Sequence, residues 1–123
     1  MITDVKLFAV YVGDQDRALD FYTKKLGFKL IDDTPMDEKT RWIEVSPPGG
    51  NVTLALFTPP GQENLIGKSS QVSFNCDDIY ATYEELKNRG VKFSQEPKEV
   101  PWGGAMATFE DPDGNFLVLS SQP

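Results

Sequence analysis

Hydrophobic and polar positions switch along this chain between a period of two and a period near 3.6, and they do so twice in the same order. Residues 5–12, VKLFAVYV, form a β-rich run that is apolar on both sides, which predicts a strand covered on both faces. Ala18, Leu19, Tyr22 and Leu26 then recur at helical spacing, so a helix is predicted over residues 15–26. Asp14 is placed to cap its start, Lys24 and Lys25 suit its negative end, and Gly27 suits the residue just beyond it. Strands follow over residues 28–32, 41–46 and 52–58, separated by the polar loop DTPMDEKT and the turn PPGGN. In residues 41–46 the alternation sets Trp42 and Glu44 on one side and Ile43 and Val45 on the other.

The pattern then repeats. In residues 71–76, QVSFNC, Val72, Phe74 and Cys76 share one face. Asp77 or Asp78 caps a helix reaching residue 89, with Ile79, Tyr83 and Leu86 as its buried stripe and Gly90 as its stop. Strands are predicted over 91–94, 105–110 and 115–120, with the loop QEPKEVPWGG after the first and the tight turn Asp111-Pro112-Asp113-Gly114 before the last. Asp14/Asp77, Ala18/Ala81, Gly27/Gly90 and Lys29/Lys92 each stand 63 positions apart, while the helical stripes match better at 64. A chain that repeats itself builds one unit twice, here βαβββ. Residues 1–123 are therefore one domain, with module one over about 1–58, a linker over 59–69 (PPGQENLIGKS) and module two over about 70–123. The expected class is α+β: two βαβββ modules forming curved mixed sheets around a cleft, with helices on the outer face.

Composition narrows the function. A hydrophobic content of 39% supports a packed core, and 25% charged residues argue against disorder. No apolar run approaches the roughly 20 residues needed to span a bilayer, and MITDVKLF lacks the features of a signal peptide. The lone Cys76 cannot form an internal disulfide and, on the helix-facing side of its strand, reads as an inert thiol. A cytoplasmic protein with no membrane partner is expected. Nineteen acidic against twelve basic residues give a net charge of −7, which repels phosphate backbones and argues against nucleic acid. There is no histidine. That removes the commonest general base, the commonest metal ligand and every Ser-His or Cys-His nucleophile pair.

The runs VYVGDQDRALDFYTKKLGFKL, PWGG and TFEDPDGNFLVL resemble the vicinal oxygen chelate superfamily, which includes glyoxalases, extradiol dioxygenases and bleomycin resistance proteins. The resemblance covers nearly the whole chain. It implies paired βαβββ modules around a pocket and assembly as a homodimer. It also implies metal ligands at inward positions of four strands in the metal-dependent members. Those positions fall here at Leu7, Leu54, Gln71 and Val118, with Leu7/Gln71 and Leu54/Val118 both 64 apart. Aliphatic side chains offer no donors to a divalent ion, so no metal and no cofactor are expected.

If those four residues face inward, so do their neighbours of the same parity. The candidate ligand-binding residues of module one are Tyr11, Trp42, Glu44 and Leu54, with Ala9, Val52 and Leu56 beside them. Module two contributes Gln71, Asn75, Met106, Phe116 and Val118, with Ser73, Thr108 and Ser120 beside them and Trp102 capping the mouth. This mix of apolar and aromatic side chains with a few polar ones is the usual make-up of a small-molecule site. The function expected from it is metal-independent binding, of a sequestering kind, of a hydrophobic or cationic compound. The alternatives are a glyoxalase- or dioxygenase-like lyase or isomerase, metal-dependent or using Glu44 or Tyr11, and a protein-interaction module whose cleft is filled by its own side chains. No catalytic residue is assigned.

Overall fold

The computed structural model describes residues 1–68 and 71–122. The elements run β1 (Leu7–Val10), α1 (Gln15–Asp20), β2 (Lys29–Pro35), β3 (Arg41–Ser46), β4 (Thr53–Leu56), β5 (Val72–Asn75), α2 (Ile79–Asn88), β6 (Lys92–Glu99), β7 (Ala105–Glu110) and β8 (Phe116–Ser121). They form two four-stranded mixed sheets, ordered β1-β4-β3-β2 and β5-β8-β7-β6. In each the first and last strands of the module pair in parallel and the other pairs are antiparallel. The βαβββ unit is thus built twice. A single turn of 3₁₀ helix, Glu63–Leu65, lies in the predicted linker, whose last residue, Ser69, falls outside the described residues.

The predicted caps form. Asp14 accepts the Arg17 N–H at 3.1 Å and Asp78 the Ala81 N–H at 3.1 Å, and Gly27 and Gly90 follow their helices with φ of 78° and 89°. The first helix departs from expectation: after Asp20 it widens into a π turn over Phe21–Lys25. The wider turn lets two successive residues, Phe21 and Tyr22, both enter the core, which an unbroken α-helix over 15–26 does not favour. Two other strands outrun their predictions. β2 continues to Pro35 because Arg41, its partner across the ladder, ion-pairs with Asp33 at 3.0 Å. β6 continues through Pro97 to Glu99 with two irregularities, which an edge strand tolerates.

One continuous apolar cluster draws on both modules. It takes Val10, Ile43, Val45, Leu54 and Leu56 from the first sheet and Ala107, Phe109, Leu117 and Leu119 from the second, with Ala18, Phe21, Tyr22, Ile79 and Leu86 from the helices. The modules also meet at polar contacts. Buried Tyr22 donates its hydroxyl to Asp111 at 2.9 Å, and Arg89 of module two donates to the Lys25 carbonyl at 2.8 Å. Phe28 and Phe74 meet edge to face at 5.3 Å.

The loop carrying PWGG closes tightly against the end of β8. Gly104 has a φ of +76°, and a Cβ there would lie 2.1 Å from the Ser121 carbonyl oxygen. Gly104→Ala therefore combines left-handed strain with a backbone clash and is expected to destabilise the protein by at least about 2 kcal/mol. Thermal unfolding of the variant beside the parent checks this.

Candidate functional site

The face of each sheet that packs on the helices is fixed by the core, and strict alternation assigns the rest to the opposite, helix-free face. On the first sheet Phe8↔Leu54, Val10↔Leu56 and Val45↔Leu54 are ladder partners. Leu54 and Leu56 thus lie on the helix side, 3% and 0% exposed. This corrects the inward placement of Leu54, and with it Val52 and Leu56. The alignment of β4 with β8 at an offset of 64 was one residue too long, since Phe8 pairs Leu54 where Val72 pairs Leu117, an offset of 63. A one-residue slip turns every side chain of a strand over. The residues on the helix-free face of β4 are Thr53 and Ala55, followed by Phe57 beyond its end. The signal was present in VTLALF, where leucines alternate with smaller or polar residues.

The helix-free face of the first sheet is ordered in rows. One row crosses the four strands as Asp32, Glu44, Ala55 and Ala9. Ala55 is covered by its neighbours and Ala9 is exposed. The next row is aromatic: Trp42 and Phe57 lie 5.4 Å apart at 51°, with Tyr11 following Val10, whose carbonyl accepts the Phe57 N–H. Glu44 is held from two sides, accepting the Trp42 indole N–H at 2.7 Å on Oε2 and the Thr53 hydroxyl at 2.6 Å on Oε1. Tyr11 donates its hydroxyl to Gln62 of the linker at 2.8 Å.

The helix-free face of the second sheet carries Ser73 and Asn75 on β5, Phe116, Val118 and Ser120 on β8, and Met106 and Thr108 on β7. Gln71 lies exposed just before β5, and Asn75 is also exposed. Val118 and Thr108 are ladder partners, each 5% exposed. Trp102, Met106 and Ser120 line a cavity of about 270 Å³ at the end of β7 and β8. Trp102 is 76% exposed, so within one chain it borders this cavity without closing it. A larger one of about 500 Å³ takes Phe57, Thr58 and Ile66 from module one and the linker, together with Arg41 and Lys39. Trp42 and Glu44 are brought together by their hydrogen bond, and Trp102 and Met106 by a cavity whose lining includes neither of the first pair.

Other charged or reactive side chains are structural. Arg41 is locked between Asp33 and Asp16, at 3.0 and 2.7 Å, and those hydrogen bonds raise its pKa. Cys76 places its Sγ 3.7 Å from the Ser120 carbonyl, and burial pushes its pKa up, which disfavours the reactive thiolate. Asp111 and Asp113 belong to the joint between modules, Asp113 accepting from Gly13 N–H and Arg17, each at 3.1 Å.

The four positions at which the sequence resemblance places metal ligands can be revised on this geometry. The helix-free residue of β4 level with Glu44 is Ala55, which leaves Leu7, Ala55, Gln71 and Val118. Three hydrocarbon side chains and one amide do not fit a divalent ion. Among the described residues no three His, Cys, Asp or Glu side chains converge in a metal-holding group.

The chain is thus built of paired βαβββ modules that leave aromatic and polar groups on helix-free sheet faces. Residues 5–119 match the Glyoxalase/Bleomycin resistance protein/Dioxygenase superfamily, and the chain belongs to that family. It is 37% identical to YetH of Bacillus subtilis over 97% of this chain and 98% of that protein. It is also 37% identical to TnmS3, an antibiotic-binding protein from Streptomyces sp. CB03234, whose crystal structure covers 99% of this chain and 98% of its own with a TM-score of 0.86. A probable chloroplastic lactoylglutathione lyase of Arabidopsis thaliana is 36% identical over 95% of this chain and 36% of that longer protein.

Proposed function

We propose that this chain is a metal-independent binding protein that holds an apolar or cationic small molecule against its helix-free sheet faces, and that two copies assemble to complete each pocket. The observation that carries the reading is the pairing of a fixed carboxylate with an aromatic row, Glu44 beside Trp42 and Phe57, on a face with no metal-donor set. Sequestration needs complementary shape and polarity and no reactive group. The likeness to an antibiotic-binding protein of the same length supports it.

The homodimer is supported by the separation of the two half-sites. Trp102 and Met106 line a cavity whose lining includes neither Trp42 nor Glu44, so each half-site requires a covering surface. A cytoplasmic location and the absence of a nucleic-acid partner belong to the same proposal, supported by the single cysteine and the net charge of −7. No helix among the described residues is long and apolar enough to cross a membrane.

The lyase relative motivates the opposing reading, a metal-dependent enzyme. Elemental analysis and native mass spectrometry on freshly purified protein separate the two. The expected result is twice the 13.7 kDa chain mass with less than about 0.1 metal ion per chain, far below the occupancy of a high-affinity site. A stoichiometric divalent ion overturns the metal-independent reading, and a monomer overturns the shared pocket.

A further inference from the structure

We infer that Glu44 is the residue that selects the ligand, and that the class it selects is a planar aromatic cation. The inference rests on the binding reading above and narrows its choice between apolar and cationic compounds.

Three observations carry it. First, the Glu44 carboxylate is pre-oriented: the Trp42 indole and the Thr53 hydroxyl each donate to a different oxygen, at 2.7 and 2.6 Å. A carboxylate oxygen accepts more than one hydrogen bond, so each retains capacity for a further donor. Second, it has no ion-pair partner among the described residues, whereas Arg17, Lys24, Arg41, Arg89 and Lys92 are each paired with other carboxylates. Its neighbours across the ladder are Asp32 and Ala55, so neither side supplies a cation. Third, the same two donors tie the carboxylate to an aromatic wall, because Trp42 contributes both the indole N–H and the ring that meets Phe57 at 5.4 Å.

A ligand on this face meets flat aromatic surface and, beside it, the carboxylate of a half-buried residue already fixed by two donors. A protonated amine on a fused ring satisfies both at once. Its ring stacks on Trp42 or Phe57, where its charge is also favoured by the ring quadrupole, and its N–H groups donate to Glu44. Because the carboxylate is held before binding, little ordering entropy is lost when the contact forms. An anionic ligand meets like charge, and a neutral one leaves the charge-assisted hydrogen bond unmade.

Three probes of one ring frame test this at pH 8 by quenching of Trp42 and Trp102 fluorescence: 9-aminoacridine as the cation, acridine as the neutral form and anthracene-9-carboxylate as the anion. The parent protein is expected to bind 9-aminoacridine about tenfold more tightly than acridine, the scale of one charge-assisted hydrogen bond, and to bind the anion most weakly. Glu44→Gln keeps the side-chain shape and is expected to erase the cation preference, so that 9-aminoacridine and acridine bind the variant alike. Thr53→Val, which removes one of the two donors that orient the carboxylate, is expected to halve the preference or more without abolishing binding. Circular dichroism confirms that the variants fold. Equal binding of cation and neutral ring by the parent, or an undiminished preference in Glu44→Gln, overturns the role of Glu44 and leaves the binding reading standing. Failure of all three probes to bind at millimolar concentration overturns both.

Discussion

Asp111→Ala is expected to destabilise the protein by about 3–4 kcal/mol, the largest effect of any single polar substitution in the chain. Asp111 is 5% exposed and uses both carboxylate oxygens. Oδ1 accepts the backbone N–H groups of Asp113 and Asn115, each at 2.9 Å. Oδ2 accepts the Tyr22 hydroxyl at 2.9 Å and the Asn115 side-chain amide at 2.8 Å. Asn115 in turn donates to the Tyr11 carbonyl at 2.9 Å. The turn of module two is thereby fastened to the π turn and the first strand of module one. Alanine removes the acceptor of four hydrogen bonds at once and leaves the Tyr22 phenol, fully covered by protein, without its carboxylate, and a stranded buried donor costs about 1–3 kcal/mol. The phenol cannot escape by ionising, because burial, the largest cause of its raised pKa, persists in the variant.

Asp111→Asn makes the argument sharper. Its single carbonyl oxygen can serve the two backbone groups or the two side chains, not both sets, and its amide points donors at donors. About half the loss is expected. Urea unfolding measures both variants, and thermal midpoints should fall by about 10 °C for alanine. An asparagine variant as stable as the parent would show that one oxygen is enough.

Ala9→Trp is expected to abolish binding of 9-aminoacridine, weakening it on the order of 100-fold, with little change in stability. Ala9 lies in the same row as Glu44, is exposed, and leaves open floor beside the covered Ala55. An indole planted there occupies the space into which a flat ring must lie against Trp42 and Phe57, and loss of that stacking and burial removes most of the apolar contribution to affinity. Because the alanine touches the helix-free face alone, the core is not disturbed and stability should hold within about 0.5 kcal/mol. Fluorescence titration reads the binding and native mass spectrometry the subunit number. Tight binding that survives the substitution would place the ligand elsewhere, away from the first sheet.

Much of this architecture is legible without coordinates because it rests on local physics. Asp14 and Asp78 precede helical stripes, Gly27 and Gly90 follow them, and residues 71–76 alternate cleanly. Each such signal is decided by a residue and its near neighbours, and the repetition of the set specifies two modules. The sequence likewise puts Trp42 and Glu44 on one face, since strand parity needs no tertiary information. Composition alone removes histidine chemistry.

Other features depend on partners distant in the chain. The register of β4 is set by which leucines reach the helices, so Leu54 turned out to be core and Ala55 and Phe57 took the places beside Glu44. Nothing in residues 21–25 announces a π turn. It arises because Phe21 and Tyr22 are both drawn into a core that module two helps to build. Asp111 reads as a turn residue from its neighbours, and its bond to Tyr22 spans 89 positions. Periodicity constrains a residue's side of its own element, whereas what lies across from that side is fixed only when the two sheets and their helices close on one another.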